Sequence, residues 1–275
     1  MNPSFDIRPE ALDTAAANLY VEAGPAAVSF VVLDDNKCFR AVVIYPFANG
    51  LSINDYNEQL GEILDSESLL QHAFRKTTII WSFKESIIVP NEWMNKVDKQ
   101  ELVNLVHGDL AAGEIKTDFL FRHNLHNLYR VPQPVHVRMS NKFLYASQTH
   151  QYSLLPELAS LAGDRLLALF YNNHVTVLLC RNGRLQMMQQ FAYANAEDAA
   201  YHLLNVCAGF DMDTAGIVLQ LSGMIDEASA LYAGLYKYFL QVEMLDLPVG
   251  FDYTEAIREQ PAHFFSHLFA TAACA

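Results

Sequence analysis

Apolar residues fall in short unbroken blocks separated by polar turns, the pattern of strands covered on both faces. Such blocks occupy Ala16–Glu22, Val28–Leu33 and Cys38–Phe47. The chain turns through Ala23-Gly24-Pro25-Ala26-Ala27 between the first two, and through Asp34-Asp35-Asn36-Lys37 between the second and third. The spacing then becomes helical: Ser52 with Asp55 three residues on forms a capping box, followed by apolar Tyr56, Leu60, Ile63 and Leu64. Thr77–Phe83 and Ser86–Val89 predict a hairpin about Lys84-Glu85, ended by Pro90. A helix is predicted from Asp98 to His107, where Gly108 stops it. Thr117–Arg122 and Asn127–Val131 predict a second hairpin. Pro132 to Ala162 reads as mainly helical, with a short strand near Phe143–Ser147.

The first pattern then returns. Leu166–Tyr171, Val175–Cys180 and Arg184–Phe191 predict three strands joined at Asn172-Asn173 and at Arg181-Asn182-Gly183. Asn182-Gly183 is a strong hairpin signal, because both residues accept the positive φ of a type I′ turn. A helix capped at Asn195 places Ala199, Leu203, Val206 and Cys207 on one face. A buried strand at Ile217–Leu221, a tight Ser222-Gly223, and a helix carrying Ala228, Leu231, Leu235 and Phe239 follow. A three-strand meander followed by a helix therefore occurs twice, although residue identity between the copies is low. The alternation predicts an α/β fold with a mixed sheet flanked by helices, in duplicate.

Composition narrows the classes. The chain has 275 residues, 52% hydrophobic and 18% charged, enough for a large core and too apolar for a disordered or collagen-like chain. Its formal charge is −13. No basic cluster is longer than Arg75-Lys76, which excludes nucleic acid as a partner, since phosphate binding needs a basic stripe. Cys38, Cys180, Cys207 and Cys274 are far apart and form no CxxC, as expected of a reducing compartment. With no signal-peptide pattern and no apolar run of the roughly 20 residues a membrane span needs, the expectation is a cytoplasmic protein without a transmembrane segment.

Four segments carry a resemblance over most of the chain: VSFVVLDDNKCFRAVVIYPF, TTIIWSFKESIIVP, RLLALFYNNHVTVLLCRNGRLQMMQQF and GIVLQLSGMIDEASALYAGLYKYFLQVEML. In this order they resemble the actin-like ATPase fold, with two ribonuclease H-like lobes. The second half resembles actin-like proteins of bacterial pilus and secretion platforms, and the whole chain a bacterial domain-of-unknown-function family assigned to this fold. The resemblance implies a first lobe over residues 1–113 and a second over 114–275 with a C-terminal helix. It also implies two hairpin turns that grip the phosphates of ATP. Each turn offers an acid that positions Mg²⁺, and glycines that let the backbone approach.

In the first lobe the matching turn is Glu22-Ala23-Gly24-Pro25, where Glu22 and Gly24 stand for an Asp-x-Gly pair. In the second lobe the turn is Tyr171-Asn172-Asn173-His174. Between Arg165 and Arg181 there is no Asp, Glu or Gly, and only Thr176 keeps a hydroxyl of the implied type. The adenosine-side Gly-Gly pair reads Ser222-Gly223. The candidate nucleotide-site residues are thus Glu22, Gly24, Asn172, Asn173, Thr176, Ser222 and Gly223. So depleted a set leads to the expectation of a non-catalytic actin-like scaffold or regulatory protein with a protein partner, no required cofactor and no metal. The alternative is a divergent ATPase or small-molecule kinase that binds ATP–Mg²⁺ through Glu22 and Asp34. No catalytic residue is assigned.

Other groupings have plainer readings. His123/His126 lie near a hairpin tip and His263/His267 could face one way on a helix as zinc ligands do, but no third ligand is nearby, and both pairs read as surface or packing histidines. Asp34-Asp35 and Asp211-x-Asp213 read as acidic turns. Helical spacing assigns Tyr232, Tyr236, Tyr238 and Phe239 to packing, with an aromatic protein-contact stripe as the alternative. Phe264, Phe265, Leu268 and Phe269 predict a helix docked on a lobe, or else an interface. Oligomeric state has no signature.

Overall fold

The computed structural model describes residues 1–109, 112–158 and 163–275, with Leu158 described by its backbone alone. The end of the helical stretch expected up to Ala162 therefore lies outside the described residues. In chain order the elements begin with β1 (Phe5–Ile7), β2 (Ala17–Ala23), β3 (Ala27–Asp34), β4 (Cys38–Pro46), α1 (Ile53–Ser66) and β5 (Lys76–Trp81). Next come β6 (Ser86–Pro90), α2 (Lys99–His107), β7 (Gly113–Leu120), β8 (Leu125–Pro132), α3 (Gln133–Lys142), β9 (Ser147–His150) and α4 (Gln151–Leu158). They continue with β10 (Arg165–Phe170), β11 (His174–Arg181), β12 (Arg184–Ala192), α5 (Ala196–Gly209), β13 (Val218–Gly223) and α6 (Ala230–Leu235). The last are β14 (Gln241–Met244), β15 (Asp252–Tyr253), α7 (Glu255–Arg258) and α8 (Ala262–Cys274).

The chain divides into two compact units: Met1–Leu154 with Phe251–Ile257 and Ala275, and Leu155–Gly250 with Arg258–Cys274. The main sheet of the first runs β4-β3-β2-β5-β9, with β1 and β15 added against β4. The sheet of the second runs β12-β11-β10-β13-β14. In both, the meander is antiparallel, one further strand (β5 or β13) pairs in parallel with the first meander strand, and the last (β9 or β14) pairs in parallel with that one. The duplicated meander is therefore a duplicated topology. Each parallel connection needs a helix, and α1 and α5 occupy corresponding positions in the two units.

The units differ in the crossover to the fifth strand. In the second unit residues 224–240 make it, with α6 alone. In the first unit residues 82–146 make it, and they carry a further three-stranded sheet, β6-β8-β7, covered by α2. The hairpin expected between Thr77–Phe83 and Ser86–Val89 does not form. β5 is buried between β2 and β9, while β6 leaves the sheet at Lys84-Glu85 and pairs with β8. The lobe boundary at 113/114 falls at the start of β7, and β9 completes the first sheet, so the division by contacts comes near residue 154 instead.

Two polar anchors hold this inserted sheet. Asp118 on β7 accepts from Thr149 Oγ1 (2.9 Å), His150 N (2.8 Å), Ser153 Oγ (2.6 Å) and Tyr129 Oη (3.2 Å), which fixes β7 to the β9–α4 junction. Arg130, 2% exposed, donates to Glu85, to Asn104 and to the Gly108 carbonyl that ends α2. Local caps follow the sequence. Ser52, Asp98 and Asn195 each accept from the backbone three residues on, worth about 1 kcal/mol apiece. Asn182 and Gly183 both have positive φ, as the hairpin there requires. Phe239 is buried just beyond α6, whereas Tyr236 and Tyr238 are about half exposed, so the helix predicted from Ala228 to Phe239 is short and its aromatics divide between core and surface.

Candidate functional site

Backbone hydrogen bonds within each hairpin turn define equivalent positions in the two units. In the first unit Gly24 N donates to Ala27 O (3.1 Å), and in the second Tyr171 N donates to His174 O (2.9 Å). Pro25-Ala26 thus corresponds to Asn172-Asn173, Glu22 to Leu169, and Ser29 to Thr176. The next parallel strand agrees: Ser82 N donates to Ala23 O (3.0 Å) and Met224 N to Phe170 O (2.8 Å). Trp81 accordingly corresponds to Gly223. The acid position of the first unit is thus occupied in the second by an aliphatic side chain that is 1% exposed.

Glu22 is buried at the end of β2, with Gln151 Nε2 3.5 Å from its Oε2. Gln151 comes from the β9–α4 junction, 129 residues away, and no sequence signal marks it. Gly24 is buried in the turn, and its carbonyl accepts from Tyr56 Oη (3.1 Å) on α1. A Cβ at Gly24 would lie 2.1 Å from Ser82 Oγ, so this glycine is required by the close approach of the β5 exit. Asp34 closes the β3–β4 turn, accepting from Cys38 N (2.8 Å) and pairing with Arg40 (2.6 Å). Burial would raise its pKa, but the Cys38 N–H and the Arg40 guanidinium hold it below the ordinary value.

In the second unit Asn172 is exposed and Asn173 half-buried. Asn173 Oδ1 accepts from His174 Nδ1 (2.6 Å), which leaves Nε2 as the unprotonated nitrogen. Burial pushes the His174 imidazole down to about 4, so the ring is neutral at physiological pH. The Tyr171 ring stacks on it at 4.6 Å and 17°, and meets His267 edge-on at 5.5 Å. His174 Nε2 and Thr176 Oγ1 are buried without a hydrogen-bond partner among the described residues. The turn presents amides and aromatic rings, with no charge.

Ser222 and Gly223 have structural employment. Gly223 has φ +89°, and a Cβ there would lie 2.1 Å from the Phe170 carbonyl oxygen. Ser222 Oγ lies 2.8 Å from His263 O, 2.8 Å from Ser266 Oγ and 3.0 Å from His267 Nδ1. His263 Nε2 donates to Ile225 O (2.7 Å). The His263/His267 pair thus docks α8 on β13, with Phe265, Leu268 and Phe269 buried around it. No group of three or more metal-ligating side chains occurs among the described residues. His126 Nε2 is 2.9 Å from Asn91 Oδ1 and its ring lies on Phe119.

This topology is shared with solved proteins of one fold. The chain superposes on a Bacteroides thetaiotaomicron protein of actin-like ATPase fold and unknown function with a TM-score of 0.79, at 16% identity, over 96% of this chain and 100% of that one. It superposes on a structure of the PilM–PilN type IV pilus biogenesis complex with a TM-score of 0.63, at 13% identity, over 96% and 99%. The ethanolamine utilization protein EutJ of Carboxydothermus hydrogenoformans matches with a TM-score of 0.54, at 8% identity, over 98% and 92%. The protein therefore has the actin-like ATPase fold, with two ribonuclease H-like units. By sequence it belongs to the family described as protein of unknown function (DUF3822), which matches residues 8–242. No curated protein matches it. Among the described residues no helix is long and apolar enough to cross a membrane.

Proposed function

We propose that the protein is a non-catalytic actin-like scaffold or regulatory subunit of a bacterial cytoplasmic assembly, acting through contact with another protein. The observation that carries this reading is the turn of the second unit, where Leu169, Asn172, Asn173 and a neutral His174 stand in place of acid and glycine. Phosphoryl transfer needs charge positioned at the transferring group and an anchored Mg²⁺. An aliphatic side chain and a neutral imidazole supply neither. Ser222 and Gly223 have packing roles that account for them without a nucleotide. The fold is compatible with such work: PilM, which shares it, occurs in a complex with PilN. Fold alone does not decide function, so the turn carries the weight.

The enzyme reading rests on Glu22, a buried acid beside a glycine turn. Calorimetry with ATP–Mg²⁺ separates the two. We expect no saturable binding up to about 1 mM, equivalent to less than ~4 kcal/mol of affinity, and no release of phosphate. Micromolar binding that is lost in the exposed Asn172→Trp variant would overturn the scaffold reading in favour of a divergent ATP-binding protein.

A further inference from the structure

The first unit carries a groove of about 680 Å³ between α1 and α3, built from Asn57, Gly61 and Leu64 on one side and Pro134, Val137, Arg138 and Lys142 on the other. Arg138 is fixed in it. Its Nε donates to Asn57 Oδ1 (2.9 Å), and its guanidinium lies over Gly61, where a Cβ would fall 2.3 Å from Nη1. That glycine is therefore a cradle for the arginine. Neither Arg138 nor Lys142 forms an ion pair among the described residues, although Asp65 also lines the groove. In a chain with 31 acidic and 18 basic residues, two cations side by side on one helix face without an ion pair among the described residues are conspicuous.

The lining from Gln133 to Lys142 covers nearly three turns of α3, roughly 13 Å at 1.5 Å per residue, which suits a linear ligand rather than a compact one. Arg138 and Lys142 are one turn apart, roughly 6 Å along the axis. Alternate side chains of an extended strand repeat at nearly the same interval, roughly 6.7 Å. Val137 and Pro134 offer apolar contact along the same groove.

We infer that the α1–α3 groove binds an extended acidic segment of a partner protein, with carboxylates at alternate positions meeting the Arg138 fork and the Lys142 ammonium. This deepens the scaffold reading and rests on it. The test uses the full chain and a fluorescent eight-residue peptide of alternating Glu and Leu, with a Lys/Leu peptide and sodium succinate as further arms. Saturable binding of the Glu/Leu peptide is expected. It should weaken at least about ten-fold in Arg138→Ala and in the milder Lys142→Gln, and weaken again as salt is raised. Arg138→Lys, which keeps the charge but not the fork, should also bind less tightly. Absence of saturation, equal affinity in all variants, or binding of the Lys/Leu peptide would overturn the inference. So would succinate saturating the groove and displacing the peptide, which would make it a small-anion site. ATP–Mg²⁺ calorimetry reads the Asn172 turn instead, so a failed peptide titration leaves the scaffold reading standing on another surface.

Discussion

Among the described residues Gly24, Gly61, Gly113 and Gly223 pack closely against a neighbour, and the neighbours decide what each substitution does. At Gly24 the obstacle is a hydroxyl, Ser82 Oγ, 2.1 Å from a new Cβ. Gly24→Ala should cost about 1–3 kcal/mol of stability in urea titration, and Gly24→Ala/Ser82→Ala should recover most of it. At Gly223 the obstacle is the Phe170 carbonyl and φ is +89°, so no partner truncation relieves it. At Gly61 it is the movable end of Arg138. A Gly24 cycle showing no recovery would mean that the turn itself, rather than Ser82, demands the glycine. The residue type at Gly24 and Gly223 is visible in the chain. The contacts that require each glycine are not, because Ser82 and Phe170 lie 58 and 53 residues away in sequence.

Among the elements, the exit of α1 is held by a buried carboxylate. Glu67, 1% exposed, accepts from Leu69 N (2.8 Å), Arg8 Nη1 (2.8 Å) and Tyr45 Oη (2.7 Å), and so joins the N-terminal segment, β4 and α1. Burial alone would raise its pKa, but these three donors outweigh that and hold it below the ordinary 4.5. A carboxyl so depressed contributes stability above its unfolded pKa of about 4.3 and loses it as pH falls through the folded value. Glu67→Gln should therefore cost about 3 kcal/mol at pH 7, with the difference from wild type shrinking near pH 3. Equal costs at both pH values in chemical denaturation would contradict this. The groove between α5 and α6, topologically equivalent to that between α1 and α3, is lined by Glu197, Tyr201, Lys237 and Tyr238, whereas the α1–α3 groove carries Arg138 and Lys142 and no aromatic side chain. Equivalent elements in the two units thus present different surfaces.

At the scale of the molecule, neutral buried histidines serve both units. His150 in the first is pushed down to about 4, its Nε2 donating to Phe83 O and its Nδ1 accepting from Tyr152 N. In the second unit burial holds His174 at about 4 and His267 at about 3. Each unfolded imidazole takes a proton near 6.5, whereas the folded one does not, so stability is full above that value. It should decline as pH falls from about 6.5 towards 3–4, by up to ~1.4 kcal/mol per pH unit for each histidine. Denaturant titrations from pH 7.5 to 4.5 check this, and His267→Gln should flatten the second unit's share. An unchanged midpoint across that range would refute the assignment.

The chain alone determined the strands, most helix starts and the duplicated layout, because continuous apolar blocks, Ser52, Asp98 and Asn195 caps and the Asn182-Gly183 turn act over a few residues. It also located the β10–β11 turn at Tyr171–His174, which carries no acid or glycine. Tertiary structure decided which strands became neighbours. β5 and β6 look like a hairpin locally, yet β5 lies between β2 and β9, and β6 belongs to a separate sheet held by Asp118 and Arg130. It likewise decided that Ser222 packs against the two α8 histidines, that Gly223 meets Phe170, and that Arg138 bonds Asn57 and lies over Gly61. Those outcomes depend on contacts between residues dozens of positions apart, and no local period or spacing encodes them.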